Sequence, residues 1–138
     1  MVYKLLMFAY RKPGITPEQF KAYYDTIHAP LIRELAGPAF PLSHTRRYIH
    51  RSEGQSETNT ARNPNTPASV LVGTQGDFDY DAISELIFED EDAFKAFYAI
   101  TMAHEVNGPK IAADAENFID SSRMPAVVLS DTSVTQRE

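Results

Sequence analysis

Two apolar runs are each followed, after a turn, by a helix-length stripe of aromatic side chains. This repeated order constrains the fold more than any other feature of the chain. The first run, residues 2–10, is rich in Val, Tyr, Leu, Met and Phe and reads as a buried strand that Arg11-Lys12-Pro13-Gly14 ends. Thr16-Pro17-Glu18-Gln19 then opens a helix as a capping box, with Thr16 as N-cap, Pro17 in the first turn and Gln19 reaching back. Phe20, Tyr23, Tyr24, Ile27 and Leu31 follow at helical spacing. Pro30 has no N–H to donate and crowds the preceding turn, so the helix is expected over 17–28, kinked or stopped near Ala29 and resuming through Leu35. The second run, 82–88, reads as another strand. Glu89-Asp90-Glu91-Asp92 behind it is an acidic helix start, and Phe94, Phe97 and Tyr98 mark a helix to about Thr101. A short helix over 109–118 and a closing strand over 124–129 complete the pattern, and the polar tail 130–138 is expected to fray.

Between the two units lie a strand of odd composition and a long polar stretch. Residues 42–51 alternate so that Leu42, His44, Arg46, Tyr48 and His50 share one face, and Ser43, Thr45, Arg47, Ile49 and Arg51 the other. Neither is an ordinary apolar face, so one of them should line something polar. Residues 52–79 are dense in Ser, Thr, Asn, Gly, Gln and Pro, and only 69–72 suit a short strand. They read as an insertion inside one domain spanning 1–129, either a lid, a binding loop or a disordered stretch.

The order β-α-β, β-α-β predicts an α+β fold, the ferredoxin-like split β-α-β, with helices on one face of an antiparallel sheet. A face bearing His44, Arg46, Tyr48 and Glu85 is too polar for core and, with Leu and Ile beside it, too apolar to stay open. Two sheets closing face to face across a two-fold axis resolve this, giving a homodimeric α/β barrel with a pocket in each half.

Composition and absent motifs narrow the function classes. The formal charge of −6 argues against nucleic acid, which demands clustered positive charge. With no cysteine there is no thiolate nucleophile and no Cys-based metal site. No run approaches a membrane span, and the expectation is a soluble cytoplasmic protein. Gly-x-Gly-x-x-Gly, the P-loop, His-Glu-x-x-His and Gly-x-Ser-x-Gly are all missing. An enzyme built this way is expected to need no cofactor and no metal, and to work by proton transfer.

Histidine is the natural proton carrier near neutral pH. His28 follows Tyr24 by one helical turn, so the two share a face. It is either a general base at the pocket mouth or a cap on the helix C-terminus. His44 and His50 are six residues apart on one strand face, roughly 20 Å at about 3.3 Å per residue, so they cannot chelate one ion. Arg46 and Tyr48 between them suit a phenol, enolate or carboxylate; the alternative is a solvated edge-strand face. Glu85, the one charge in its strand's apolar run, is either a cavity carboxylate or the partner of Arg46 or Arg47 across the sheet.

Tyr3-Lys4-Leu5-Leu6, Tyr24-Asp25-Thr26-Ile27-His28-Ala29-Pro30-Leu31, Arg47-Tyr48, the block from Ser84 to Phe94 and Asp114-Ala115-Glu116-Asn117-Phe118-Ile119-Asp120 together resemble the EthD-domain family of dimeric α/β-barrel proteins. The resemblance implies a histidine of functional use at His28. His104 resembles in position the catalytic histidine of related polyketide cyclases, whose His-Pro-Ala-His run survives here as Ala103-His104. The wider superfamily contains cofactor-free monooxygenases, lactone isomerases, cyclases, decarboxylases and members with no established activity, so the fold is implied more firmly than the chemistry. The candidate catalytic residues are thus His28 and His104 as the general acid–base pair, and His50, with Tyr24, Arg46, Tyr48 and Glu85 as substrate-binding residues. Decarboxylation, dehydration or cyclisation of an aromatic or polyketide-like molecule is the first expectation. Cofactor-free oxygenation of a phenol and a non-catalytic binding dimer are the alternatives.

Overall fold

A computed structural model of the chain describes residues 2–53 and 65–138. Strand β1 is Tyr3–Ala9, and the capping box at Thr16 starts helix α1, Pro17–Tyr23, with both reciprocal bonds made. Pro30 does not stop the helix. A π-helical turn, Tyr24–His28, widens the backbone so that the Ala29 N–H bonds the Tyr24 carbonyl, and Pro30 falls in the first turn of α2, Ala29–Ala36. The widening relieves the proline's missing donor without breaking the rod.

Strand β2 is Ser43–Tyr48, β3 is Ala82–Phe88, α3 is Glu91–Ile100 and α4 is Asn107–Ala115. Gly108 is fixed by space, since a Cβ there would lie 2.6 Å from the Met102 carbonyl oxygen. Strand β4, Ala126–Leu129, closes an antiparallel sheet ordered β2-β3-β1-β4, the ferredoxin-like arrangement. Residues 69–72, expected as a strand, form none: an isolated bridge joins Arg51 to Ala68, and Leu71 and Val72 are 98% and 86% exposed. Residues 54–64 of the insertion lie outside the described residues. The tail 130–138 is in neither helix nor strand and is tied down at one point by a bond from Lys4 to Thr132.

Register decides what faces the helices. Leu5, Leu86 and His44 lie in line across the sheet, as do Met7, Ser84 and Arg46, and Ala9, Ala82 and Tyr48. These positions look toward the helices, where Phe20, Phe88, Phe97, Ile111 and Phe118 are buried. The opposite face presents half-buried Leu6, Phe8, Ile83 and Ile87 together with Thr45 and Glu85. Among the described residues no helix is long and apolar enough to cross a membrane.

Candidate active site

The polar face of β2 packs beneath α1 and the π turn, where their side chains form one connected line. Asp25, on the π turn, accepts from the Tyr48 hydroxyl at 2.5 Å, from Arg46 Nε at 2.9 Å and from Lys21 Nζ at 2.7 Å. Burial would raise its carboxyl, but the three donors overcome that and hold it at about 2. The same carboxylate and burial together push the Tyr48 phenol up. Tyr24 is buried, and its hydroxyl meets Ser84 Oγ at 2.9 Å and His44 Nε2 at 3.3 Å. Arg46 Nη1 lies 3.3 Å from His44 Nδ1 and, as a donor, requires that nitrogen unprotonated. Burial, the Arg46 charge and nearby His28 bring His44 down to about 4, so it stays neutral at pH 7.

His28 ends the line. It is 5% exposed, with its ring against Phe118 and Tyr24. Nδ1 lies 2.8 Å from Asp114 Oδ2, and Asp114 Oδ1 accepts from the Tyr23 hydroxyl at 2.6 Å. Burial lowers the His28 pKa and Asp114 opposes that in part. A carboxylate on Nδ1 orients an imidazole and leaves Nε2 to take a proton; among the described residues Nε2 of His28 has no hydrogen-bond partner.

Two hollows flank this line. One, about 450 Å³, opens at the end of β2 between Tyr48, His50, Ser69, Val70 and Phe78, and there His50 Nδ1 meets Ser69 Oγ at 2.7 Å. The other, about 600 Å³, is an open groove between the π turn, α2 and α4, with Asp114 on its wall. No group of three His, Asp or Glu among the described residues is placed to hold a metal ion.

Two features of the expected arrangement are not met. Glu85 pairs with Thr45 in the sheet register and faces away from His44, Arg46 and Tyr48. Arg46 pairs with Asp25 instead, and among the described residues Glu85 makes no ion pair with Arg46 or Arg47. The polar face of β2 therefore lies under the helices, rather than on the face left open for a second sheet. His104 is also not beside His28: its Nδ1 accepts from the Val106 and Asn107 N–H groups at the start of α4, whereas His28 meets Asp114 near that helix's end. About seven residues of helix, roughly 10 Å, separate the two places. Sequence reasoning missed Asp25, Asp114, Ser84 and Ser69. Asp25 alone carried a usable signal, four residues after Lys21 and next to Tyr24.

The EthD domain model matches residues 12–122. No curated protein matches the chain. Among solved structures, an ethyl tert-butyl ether D family protein of Bacillus halodurans is 16% identical, with 96% of this chain and 100% of that chain covered and a TM-score of 0.52. A protein of Arabidopsis thaliana is 18% identical, with 97% and 99% covered and a TM-score of 0.56. SnoaB, a cofactor-independent oxygenase from Streptomyces nogalater, is 12% identical, with 99% and 97% covered and a TM-score of 0.50. These likenesses establish the fold shared with them. With the family model matched over most of its length, the chain belongs to the EthD domain family.

Proposed function

We propose that this protein is a cofactor-independent enzyme of secondary metabolism that moves protons on an aromatic or polyketide-like small molecule, and that it works as a homodimer. The observation that carries the reading is a pair of imidazoles, His28 at the buried end of the polar line and His50 exposed at the hollow beside Tyr48, each with Nδ1 held and Nε2 without a partner among the described residues. Buried ionisable groups cost stability, and a line of them with shifted pKa values marks a functional site. The hollow beside β2 seats an aromatic ring against Val70 and Phe78, with His50 at its edge as the group touching substrate. Tyr48 forms its inner wall, held by Asp25 and Arg46; Tyr24 and His28 lie behind, His28 as the second base. Decarboxylation, dehydration and cyclisation all pass through an enol or enolate, which such bases form and reprotonate. His104 enters as a helix-capping residue and Glu85 has no part.

The homodimer is supported by the sheet face that the helices leave uncovered, where Leu6, Phe8, Ile83 and Ile87 stay half-exposed beside Val127. An Ile87→Glu variant should sediment as a monomer if that face joins two copies. An unchanged dimer would place the interface elsewhere.

The catalytic test uses benzoylacetate, a simple aromatic β-keto acid, with release of carbon dioxide as the signal and salicylate as a binding probe. Loss of roughly 10²–10⁴-fold in rate in His50→Gln and in His28→Gln, with salicylate still bound, is expected. Salicylate binding without any rate above buffer supports the second reading, a non-catalytic binding dimer, which the largely apolar wall of the hollow favours. A bound phenolate that itself reduces dioxygen is the oxygenase version of the same base chemistry, read out by oxygen consumption.

A further inference from the structure

The groove beside α4 lies on the far side of the π turn from the sheet, and Asp114 belongs to both places. One carboxylate oxygen meets His28 Nδ1 and the other is held by the Tyr23 hydroxyl, which itself accepts from Asn117 Nδ2 at 2.8 Å. The same side chain lines the open groove together with Thr26, Ile27, Lys110 and Asn117. His28 is buried with its ring against Phe118 and Tyr24, and Asp114 is the polar contact joining its Nδ1 to the groove.

We propose that Asp114 is the positioning residue of His28, fixing the proton on Nδ1, and that the groove is where this proton exchanges with solvent. The inference rests on His28 acting as a base. When Nε2 takes a proton from the interior, the imidazolium is stabilised by the Asp114 carboxylate. It is restored to neutrality when the Nδ1 proton passes through that carboxylate to water in the groove, which leaves the ring as Nε2–H; the resting tautomer returns when Nδ1 takes a proton back from the groove and Nε2 passes its own to the product. Tyr23 occupies the other oxygen and so keeps the carboxylate turned toward the ring. The charged and titratable groups around His28 are Asp114 and Tyr23, then Tyr24 and His44 on the interior side, with Lys110 and Glu34 in the groove.

The test is ¹⁵N NMR of the histidine-labelled full chain, which needs no substrate. In the parent protein neutral His28 should carry its proton on Nδ1. Asp114→Ala removes the acceptor, so the ring should switch to the Nε2–H form and titrate at lower pH. Asp114→Asn keeps an acceptor but not the charge: the Nδ1 proton should stay, the titration should still fall, and its exchange with water should slow. Asp114→Glu should restore the titration. A parent His28 protonated on Nε2, or an Asp114→Ala variant with unchanged tautomer and titration, overturns the inference. If the tautomer result holds while His28→Gln leaves the benzoylacetate rate untouched, the positioning by Asp114 stands and the catalytic use of His28 falls.

Discussion

Aspartate meets arginine twice along β2 and its continuation, and the two places behave in opposite ways. At Asp81, which is buried, Arg11 Nε approaches at 2.5 Å and Arg51 Nε at 2.7 Å. The Arg51 contact is an ion pair without hydrogen-bond alignment, and the remaining guanidinium nitrogens go to Ile15 O, Thr66 Oγ1, Thr66 O, Phe78 O and Tyr80 O. Every guanidinium nitrogen there has a protein partner, so the cluster clasps both ends of the insertion to β1 and β2. At Asp25 the aspartate is partly open, a single arginine serves it, and the imidazole next to that arginine is neutral for want of solvation. The same residue types make a clasp where two arginines enclose one buried aspartate, and a titratable line where a single arginine serves a partly open one.

The largest effect expected from this contrast is at the clasp. Asp81→Ala leaves two buried guanidinium groups facing each other and should lower unfolding free energy by about 3–5 kcal/mol, read from urea denaturation. A loss of under about 1 kcal/mol would erase the difference between the two places. Next comes pH. An unfolded imidazole takes its proton near pH 6.5 and His44 in the fold only near 4, so the unfolded state binds more protons between those values. Stability should therefore be whole above pH 6.5 and fall toward pH 4, by about 3 kcal/mol for this group. His28, lowered by burial, adds in the same direction, and Asp25 adds its own loss only below pH 3.8. His44→Gln should flatten the profile; an equally steep one would show that His44 is not the source. Tyr48→Phe removes one donor from Asp25, should cost about 1 kcal/mol and should raise the Asp25 titration. At the small end, Lys95→Ala breaks an exposed pair with Glu91 and should change the unfolding free energy from urea denaturation by under about 0.5 kcal/mol.

Where structure follows from neighbours in the chain, the sequence was legible. Thr16 and Gln19 cap α1 as their spacing requires, the strand order follows from the repeated units, and His28 sits with Tyr24 as helical spacing predicts. Legibility ended where pairing is set by distant parts of the chain. Alternation correctly put His44, Arg46 and Tyr48 on one face of β2, but only the register of Thr45 against Glu85 says that Glu85 faces the other way. Asp114 lies 86 residues from His28 and carries no local mark of the bond it makes. His104 did carry one, since it stands three residues before the first residue of α4, and a side-chain acceptor so close to a helix start serves its free N–H groups.

The central claim is that burial beneath α1 keeps His28 and His44 uncharged at neutral pH, which leaves Nε2 of His28 available as a proton acceptor. A ¹H–¹⁵N NMR titration of the four histidines measures this directly. The account predicts a midpoint for His44 near pH 4 and one for His28 below 6.5. Ordinary midpoints near 6.5 for both would contradict it, because burial would then be lowering neither imidazole.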